Sequence, residues 1–428
     1  MASTYLTRTH GTPTNAKKHT FSVWVKLSLD TTNHDFMFGV YNGSSRNNYF
    51  IKSGSDNTLA MENVVGGNSA GYFFTNRKFR DCNAWYHIVV AEDTTQATAS
   101  DRVKVYVNGV QETSFSSISY PSQNIDDLIN SSGSTVYVGQ RGGSYGYLDG
   151  SMSHMHFIDG TAYDATAFGE FDANGVWKIK TDVSVTYGTN GFFILKDGNS
   201  VTDQSGNGNN FTVGGGTLTN TEDCPSNVFA TLNPLVYESR DNTFSNGNNT
   251  ITGGGSDDWT NKYGTSTIAP SSGKYYVEAK LITKVNSQAI IGLISTSQAI
   301  SGSLKDFGVF ALETEGRLVG SGSNIQTGLT AFSNGDIAGL AFDATNGTAQ
   351  FYRNGSTYGN PLSSIPSDTY YFATTTYYTG GVINFNFGNG YFGTTAVASA
   401  GTNASGNGIF EYDVPTGYTA LSTKGLNL

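Results

Sequence analysis

Residues 103–109 constrain this chain more than any other stretch. Val103, Val105 and Val107 alternate with Lys104 and Tyr106, then run straight into Asn108-Gly109. Alternation with a period of two is the mark of a strand with one buried face. Asn-Gly is the dipeptide that most readily takes the two positive φ angles of a two-residue hairpin turn. A second alternating run starts at once with Val110, and the preceding residues 88–91 (Ile-Val-Val-Ala) are apolar and β-branched, fit for a fully buried strand. A chain built around such a segment folds as a β-sandwich.

The rest of the composition agrees with that class. Charged residues are 14% of the 428, too few for long salt-bridged helices, while Gly (53), Tyr (25) and Phe (26) are abundant. The length suggests two or three domains, each able to bury a core. A net charge of −10, with no basic run beyond pairs such as Lys17-Lys18, argues against nucleic acid or an anionic membrane as partner. Cys82 and Cys224 lack metal-ligand spacing and are expected to be free thiols. The opening MASTYLTRTH has no basic-then-apolar leader pattern, and the apolar stretch at 289–294 is too short to span a bilayer. Folding in a reducing cytoplasm is the expectation.

The order of motifs narrows the fold. Trp85-Tyr86-His87, an apolar strand, a polar turn and V-x-V-Y-V-N-G are followed by a Gly-containing strand and D-G-S-M at 149–152. This series resembles the laminin-G-like, concanavalin-A-like lectin family, and the resemblance extends to FSVWVKLS (21–28) and NGFFILKDG (190–198). Further along, G-K-Y-Y-V-E at 273–278, I-G-L at 291–293, the block 335–355 and N-F-N-F-G at 384–388 resemble the SPRY domain. The resulting expectation is all-β: two tandem antiparallel sandwiches, a concanavalin-A-like jelly roll at 1–218 and a SPRY-like bent sandwich at 236–428. Residues 219–235 read as an ordered connector in which Val228, Phe229, Leu232 and Leu235 dock on a neighbour. Asn346-Gly347 and Asn354-Gly355 read as two further hairpin turns, and 162–180 as an irregular excursion with room for one short helix.

No catalytic residues are expected. A glycoside hydrolase on this fold needs two carboxylates facing each other across a sheet. The nearest pattern, Glu170-Phe171-Asp172-Ala173-Asn174, lacks the third carboxylate and does not read as a central strand. The G-x-S-x-G matches at Ser69 and Ser144 do not join a strand to a helix, as a nucleophile elbow requires. His154 and His156 alternate with Met155 and Phe157, which puts both on one strand face, but no third metal ligand is near in sequence. No cofactor is called for, with one exception that the lectin-like resemblance brings in. Calcium at a loop edge would draw on Asp149, Asp159 and Asp164, each beside a turn. Ligand-binding candidates are Arg141, Ser144, Tyr145 and Tyr147 in the Gly-rich loop, and Tyr377 and Tyr378 in the second half. Tyrosine stacks on an apolar sugar face while its hydroxyl bonds a ring substituent.

The D-Q-S-G-N-G-N-N-F turn, N-x-F-A-T-L-N-P-L and the ending P-T-G-Y-T-A-L-S-T, together with the two domains, resemble structural proteins of marine bacteriophages, of the tail-fibre and host-recognition type. The resemblance implies a non-enzymatic virion surface protein, assembled in the host cytoplasm: a fibre or spike component, or a capsid or tail decoration. Its partners would be other virion proteins, copies of itself and host-surface glycans. The lectin-like motifs begin almost at Met1, with no stalk or attachment segment ahead of them, so attachment would use a globular surface. The other readings are a glycan depolymerase and a protein-interaction module that binds no sugar.

Overall fold

In the computed structural model of the chain, Asn108 and Gly109 take φ angles of 48° and 78° and close a two-residue hairpin. The structure describes residues 3–28, 34–52, 57–143, 145–196, 201–235, 241–257, 263–285, 289–298, 310–320 and 322–428. Two compact units, Met1–Asn220 and Thr221–Leu428, divide the chain. Among the described residues no helix is long and apolar enough to cross a membrane.

The first unit contains β1 (Tyr5–Thr9), β2 (Lys18–Leu27), β3 (Asp35–Asn42), β4 (Ser45–Lys52), β5 (Thr58–Val65), β6 (Asn68–Lys78), β7 (Trp85–Asp93) and β8 (Val103–Val107). It continues with β9 (Val110–Glu112), β10 (Phe115–Ser119), β11 (Thr135–Val138), β12 (Gly150–Asp159), β13 (Gly169–Phe171), β14 (Trp177–Ile179), β15 (Phe192–Ile194) and β16 (Thr212–Gly215). One sheet runs β10-β6-β5-β4-β3-β11-β1-β16 and the other β15-β12-β2-β7-β8-β9, while β13 and β14 form a separate ribbon. The alternation that marks each strand decides its inner face. Phe21, Val23, Ile88, Val90 and Val105 of one sheet share a core with Phe38, Val40, Tyr49, Met61 and Phe73 of the other. Fully burying side chains of this size contributes about 2–3 kcal/mol each, so a one-residue slip of any strand is excluded.

Residues 160–190 lie over the outer face of the smaller sheet. A 3₁₀ turn, Ala165–Ala167, is capped by Asp164, whose carboxylate accepts the Thr166 N–H at 2.9 Å. The Trp177 indole N–H donates to His87 Nδ1 at 3.0 Å, so the His87 Nε2–H donates to the Ser22 hydroxyl at 2.9 Å. Burial holds His87 neutral, pushing its pKa down to about 3. His154 and His156 both lie against the Phe193 ring, at 5.8 and 3.9 Å, on one face as expected, but a bulge and not regular alternation brings them there. The register of β12 on β2 slips between Ser153 and His156, with His154 at a φ of 47°. His156 stacks on Phe193 and shares a hydrogen bond with the Tyr187 hydroxyl at 2.9 Å.

The second unit contains β17 (Thr243–Ser245), β18 (Thr250–Thr252), β19 (Tyr263–Thr265), β20 (Lys274–Thr283), β21 (Ala289–Ser295), β22 (Phe310–Glu313), β23 (Arg317–Gly320) and β24 (Ser323–Gln326). After these come β25 (Ile337–Asp343), β26 (Thr348–Arg353), β27 (Ser356–Leu362), β28 (Tyr370–Thr376), β29 (Val382–Asn386), β30 (Tyr391–Phe392), β31 (Thr395–Ala396) and β32 (Thr419–Ala420). Its sheets run β17-β18-β29-β20-β25-β26-β27 and β19-β28-β21-β22-β23-β24. Val277, Leu340, Phe351 and Phe385 share a core with Ile291, Leu293, Leu312 and Phe372. Partners of β29 on β20 end at Glu278, and β32 pairs in parallel with Tyr275 and Tyr276 beyond it. The P-T-G-Y-T-A-L ending is therefore part of the sandwich.

Residues 221–235 belong to this second unit. Ala230 and Leu232 are core residues, and their N–H groups donate to Leu421 and Asn248 carbonyls at 2.9 Å each. Leu235 is 52% exposed and does not dock. Asn354-Gly355, at φ of 49° and 80°, is a two-residue hairpin, whereas Asn346-Gly347 is not. Pairing of β25 with β26 closes at Asp343 and Thr348, leaving a four-residue loop in which Asn346 donates to the Asp343 carboxylate.

One loop recurs in both units. In 203–208 the Asp203 carboxylate accepts the Ser205 N–H and hydroxyl, and the Ser205 hydroxyl accepts the Asn207 N–H. In 403–408 the Asn403 amide oxygen accepts the Ser405 N–H and hydroxyl, and the Ser405 hydroxyl accepts the Asn407 N–H. The shared pattern, [DN]-x-S-G-N-G, is a folding device and explains why a polar run stays ordered.

Candidate functional site

The outer face of the larger sheet in the first unit carries the richest arrangement of ligand-type groups. Register places Tyr72, Glu62, Asn48, Gly39, Tyr137 and Thr7 in one row across β6, β5, β4, β3, β11 and β1. Two residues from Asn48 and Gly39, Arg46 and Tyr41 stand on the same face. Gly39 is required here: a Cβ would come within 2.1 Å of Asn48 Oδ1, so the missing side chain makes room for the amide. Glu62 Oε1 accepts from Arg46 Nε at 2.8 Å and Asn48 Nδ2 at 3.2 Å.

Over this row lies the Gly-rich loop. Gly142 and Gly146 lie so close to Tyr41 and Phe36 that a Cβ on either would meet those side chains at 2.7 and 2.4 Å. The loop closes on itself, with the Arg141 N–H shared between the Tyr145 and Gly146 carbonyls at 3.2 Å each. Arg141 then sits inside an aromatic frame, its guanidinium carbon 5.4 Å from the Tyr41 ring, 5.3 Å from Tyr145 and 6.0 Å from Phe36. Its Nε is 3.6 Å from Glu62 Oε1, and this buried N–H has no hydrogen-bond partner in the structure. Asn48 Oδ1 is likewise buried without a partner. A cation in an aromatic frame beside a bracketed carboxylate offers donors, acceptors and ring faces together.

Of the residues singled out from the sequence, Arg141 and Tyr145 meet in this frame. Tyr147 turns to a neighbouring aromatic cluster, 6.1 Å from Tyr5, which in turn is 6.3 Å from Tyr137. Ser144 lies outside the described residues. Tyr377 and Tyr378 belong to the second unit, as an edge-to-face pair 4.7 Å apart. Tyr378 lines a small pocket there with Leu281, Lys284, Thr376 and Ile383. Sequence reasoning missed Arg46, Glu62, Asn48, Tyr41 and Tyr137. Their signal was the parity of β3, β4, β5 and β11, which assigns each of them to the outer face once the inner face is fixed.

Among the described residues the carboxylates of Asp149, Asp159 and Asp164 do not converge with one another. Asp159 is buried and accepts four N–H groups, from Thr14, Asn15, Asn130 and Asn190, an arrangement built to hold a bare carboxylate and not a cation. Those donors hold its carboxyl below the usual range despite the opposing effect of burial. Asp164 caps the 3₁₀ turn, and the Asp149 N–H donates to Asp35. Among the described residues, the one group of three or more metal-ligating side chains whose ligand atoms converge is His19, Glu92 and Asp127.

Residues 2–167 match the Laminin_G_3 family model, described as the concanavalin A-like lectin/glucanases superfamily. No curated protein matches the chain in sequence. Among solved structures, the SPRY domain of human HERC1 is similar at 15% identity and a TM-score of 0.31, covering 36% of this chain and 96% of its own. The TRIM65 PSpry domain is similar at 15% identity and a TM-score of 0.30, over 37% of this chain and 91% of that one. A heptameric SAP-like pentraxin from Limulus polyphemus is similar at 20% identity and a TM-score of 0.29, over 38% of this chain and 72% of that one. The first unit thus carries a laminin-G-like domain, and a fold of this lectin-like kind suits carbohydrate or protein binding.

Proposed function

We propose that the chain is a non-enzymatic surface protein of a bacteriophage virion whose first unit binds host-surface glycan on the outer face of its larger sheet. The observation that carries this reading is Arg141 held among Tyr41, Tyr145 and Phe36, next to Glu62, with an unpartnered buried Nε–H. Aromatic rings stack on the apolar face of a pyranose, and a guanidinium forks onto a carboxylate or paired hydroxyls. An acidic sugar therefore fits best. The non-enzymatic part is supported by the row itself, which offers one carboxylate, Glu62, where hydrolysis needs two. The virion placement is supported by the motif series that resembles marine phage structural proteins, and it implies other virion proteins and further copies of the chain as neighbours.

Glycan-array screening followed by calorimetric titration of the hit tests this. Arg141→Ala and Tyr41→Ala should each weaken binding roughly tenfold or more, the loss expected for one desolvated charge-assisted or stacking contact. Silence across acidic and neutral glycans would remove the lectin role and leave a protein-interaction module. Release of oligosaccharide from host envelope polysaccharide would favour the depolymerase reading, and cryo-electron microscopy of the virion would locate the chain.

A further inference from the structure

The inward faces of strands in this sandwich are mostly apolar, and one end holds a cluster of buried polar groups. There His19 on β2, Glu92 on β7, Asn47 on β4 and Asp127, before the turn Leu128–Asn130, are all buried, none more than 1% exposed. Ligand atoms of His19, Glu92 and Asp127 lie within 4.8 Å of one another. Their hydrogen bonds leave a consistent set of atoms unused. His19 Nε2 is 2.6 Å from the Tyr49 hydroxyl, which leaves Nδ1 facing Asp127 Oδ2 at 3.3 Å with no hydrogen bond formed. Asp127 Oδ1 accepts from Asn47 Nδ2 at 2.6 Å and the Ile129 N–H at 3.1 Å, leaving Oδ2 free. Neither Glu92 oxygen receives an N–H or O–H donor, and the carboxyl group faces that of Asp127. Buried acceptors that face one another without a donor cost several kcal/mol unless something positive lies between them.

We propose that His19 Nδ1, Asp127 Oδ2 and the Glu92 carboxylate are the ligands of a structural divalent transition-metal ion of the Zn²⁺ or Mn²⁺ class. Tetrahedral ligands about 2.0–2.2 Å from a common ion lie about 3.3–3.6 Å apart, and His19 Nδ1 and Asp127 Oδ2 are 3.3 Å apart. One imidazole with two carboxylates suits such an ion and disfavours calcium or magnesium, which take oxygen ligands throughout. Two carboxylates neutralise the ion, so no net charge is buried. The Nε2–H to Tyr49 bond would fix the imidazole tautomer that presents Nδ1, and the Asn47 bond would aim Asp127. The ion would tie β2 and β7 of one sheet to the Asp127 turn, which Asn47 fastens to β4 of the other.

The test is to unfold the full chain in chelator, refold it with Zn²⁺ or Mn²⁺ alone, dialyse, and measure metal by mass spectrometry and stability by calorimetry. The expected result is about one ion per chain with a raised melting temperature, no such shift with Ca²⁺, and at least roughly tenfold less metal in Glu92→Gln and Asp127→Asn. Wild-type chain that refolds metal-free and equally stable in both ions would overturn the proposal, showing that Glu92 and Asp127 share a proton instead. So would a stoichiometric ion retained by the double variant. Should the variants fail to fold, the wild-type metal content and melting shift decide alone.

Discussion

At the scale of single residues, two positions expose the physical chemistry most directly. Gly109 is held at a φ of 78° and lies under Trp177, so that a Cβ would stand 2.3 Å from the indole Cε3. Gly109→Ala meets both backbone strain and a clash with a ring fixed by its bond to His87. We expect a loss of about 2–4 kcal/mol in urea unfolding; a loss under about 0.5 kcal/mol would show that Trp177 moves freely. Glu278 is buried on β20, its carboxylate accepting the Glu411 and Tyr412 N–H groups at 2.8 and 2.9 Å. Burial wins over those bonds and pushes its pKa up from 4.5 to about 7. Between those two values the folded chain holds a proton that the unfolded chain has lost. Stability from this group is therefore fully present below about pH 4.5 and declines as pH rises through about 7, by about 3 kcal/mol in all. A series of melts from pH 4.5 to 8 should show that slope, and Glu278→Gln should flatten it whatever it does to the absolute stability.

At the scale of elements, the two units solve the same problem in the same way. The Asn108 side chain accepts the His87 N–H at 2.8 Å, and the Asn354 side chain accepts the Ile337 N–H at 2.8 Å. Each hairpin asparagine thus reaches back to the next strand and pins the hairpin to its sheet. Asn108→Ala and Asn354→Ala should each cost about 1–3 kcal/mol, the loss of a partner for an N–H plus an unfavourable φ, read by urea unfolding of the full chain. If either costs as little as an exposed loop substitution, the side-chain bond is not what holds the hairpin. These strands were legible because alternation and turn chemistry point the same way from 103 to 110 and again from 348 to 355. Asn346-Gly347 misled because a dipeptide carries no loop length; the Asp343 carboxylate, by capturing the Asn346 amide, stabilises a wider turn. The bulge at His154 was hidden for a related reason, since an inserted residue leaves the local pattern intact and shifts only the pairing.

At the scale of the molecule, the sandwich architecture was legible because apolar periodicity is a property of each strand. The candidate face was only half legible: Arg141 and Tyr145 announce themselves in a Gly-rich loop, but Glu62, Arg46 and Tyr41 join them through pairings between strands far apart in sequence. Likewise nothing local marks His19, Glu92 and Asp127 as neighbours. Cys82 and Cys224 form no disulfide, so neither core is cross-linked through its cysteine. Melting temperatures with and without a thiol reductant should coincide; a drop in reductant would mean that cross-linking contributes to stability.

The turns also set how the protein ages. Asn-Gly is the dipeptide whose amide is lost most readily, because the glycine N–H attacks the asparagine carbonyl with no side chain in its way, and the chain has eleven of them. Attack needs a side chain that can swing onto its own backbone. Those of Asn108, Asn190, Asn207, Asn354 and Asn407 are each engaged by other strands or loops. At these five positions the hydrogen bonds that shape the loops therefore also act as a chemical preservative, holding each amide away from the geometry that attack requires.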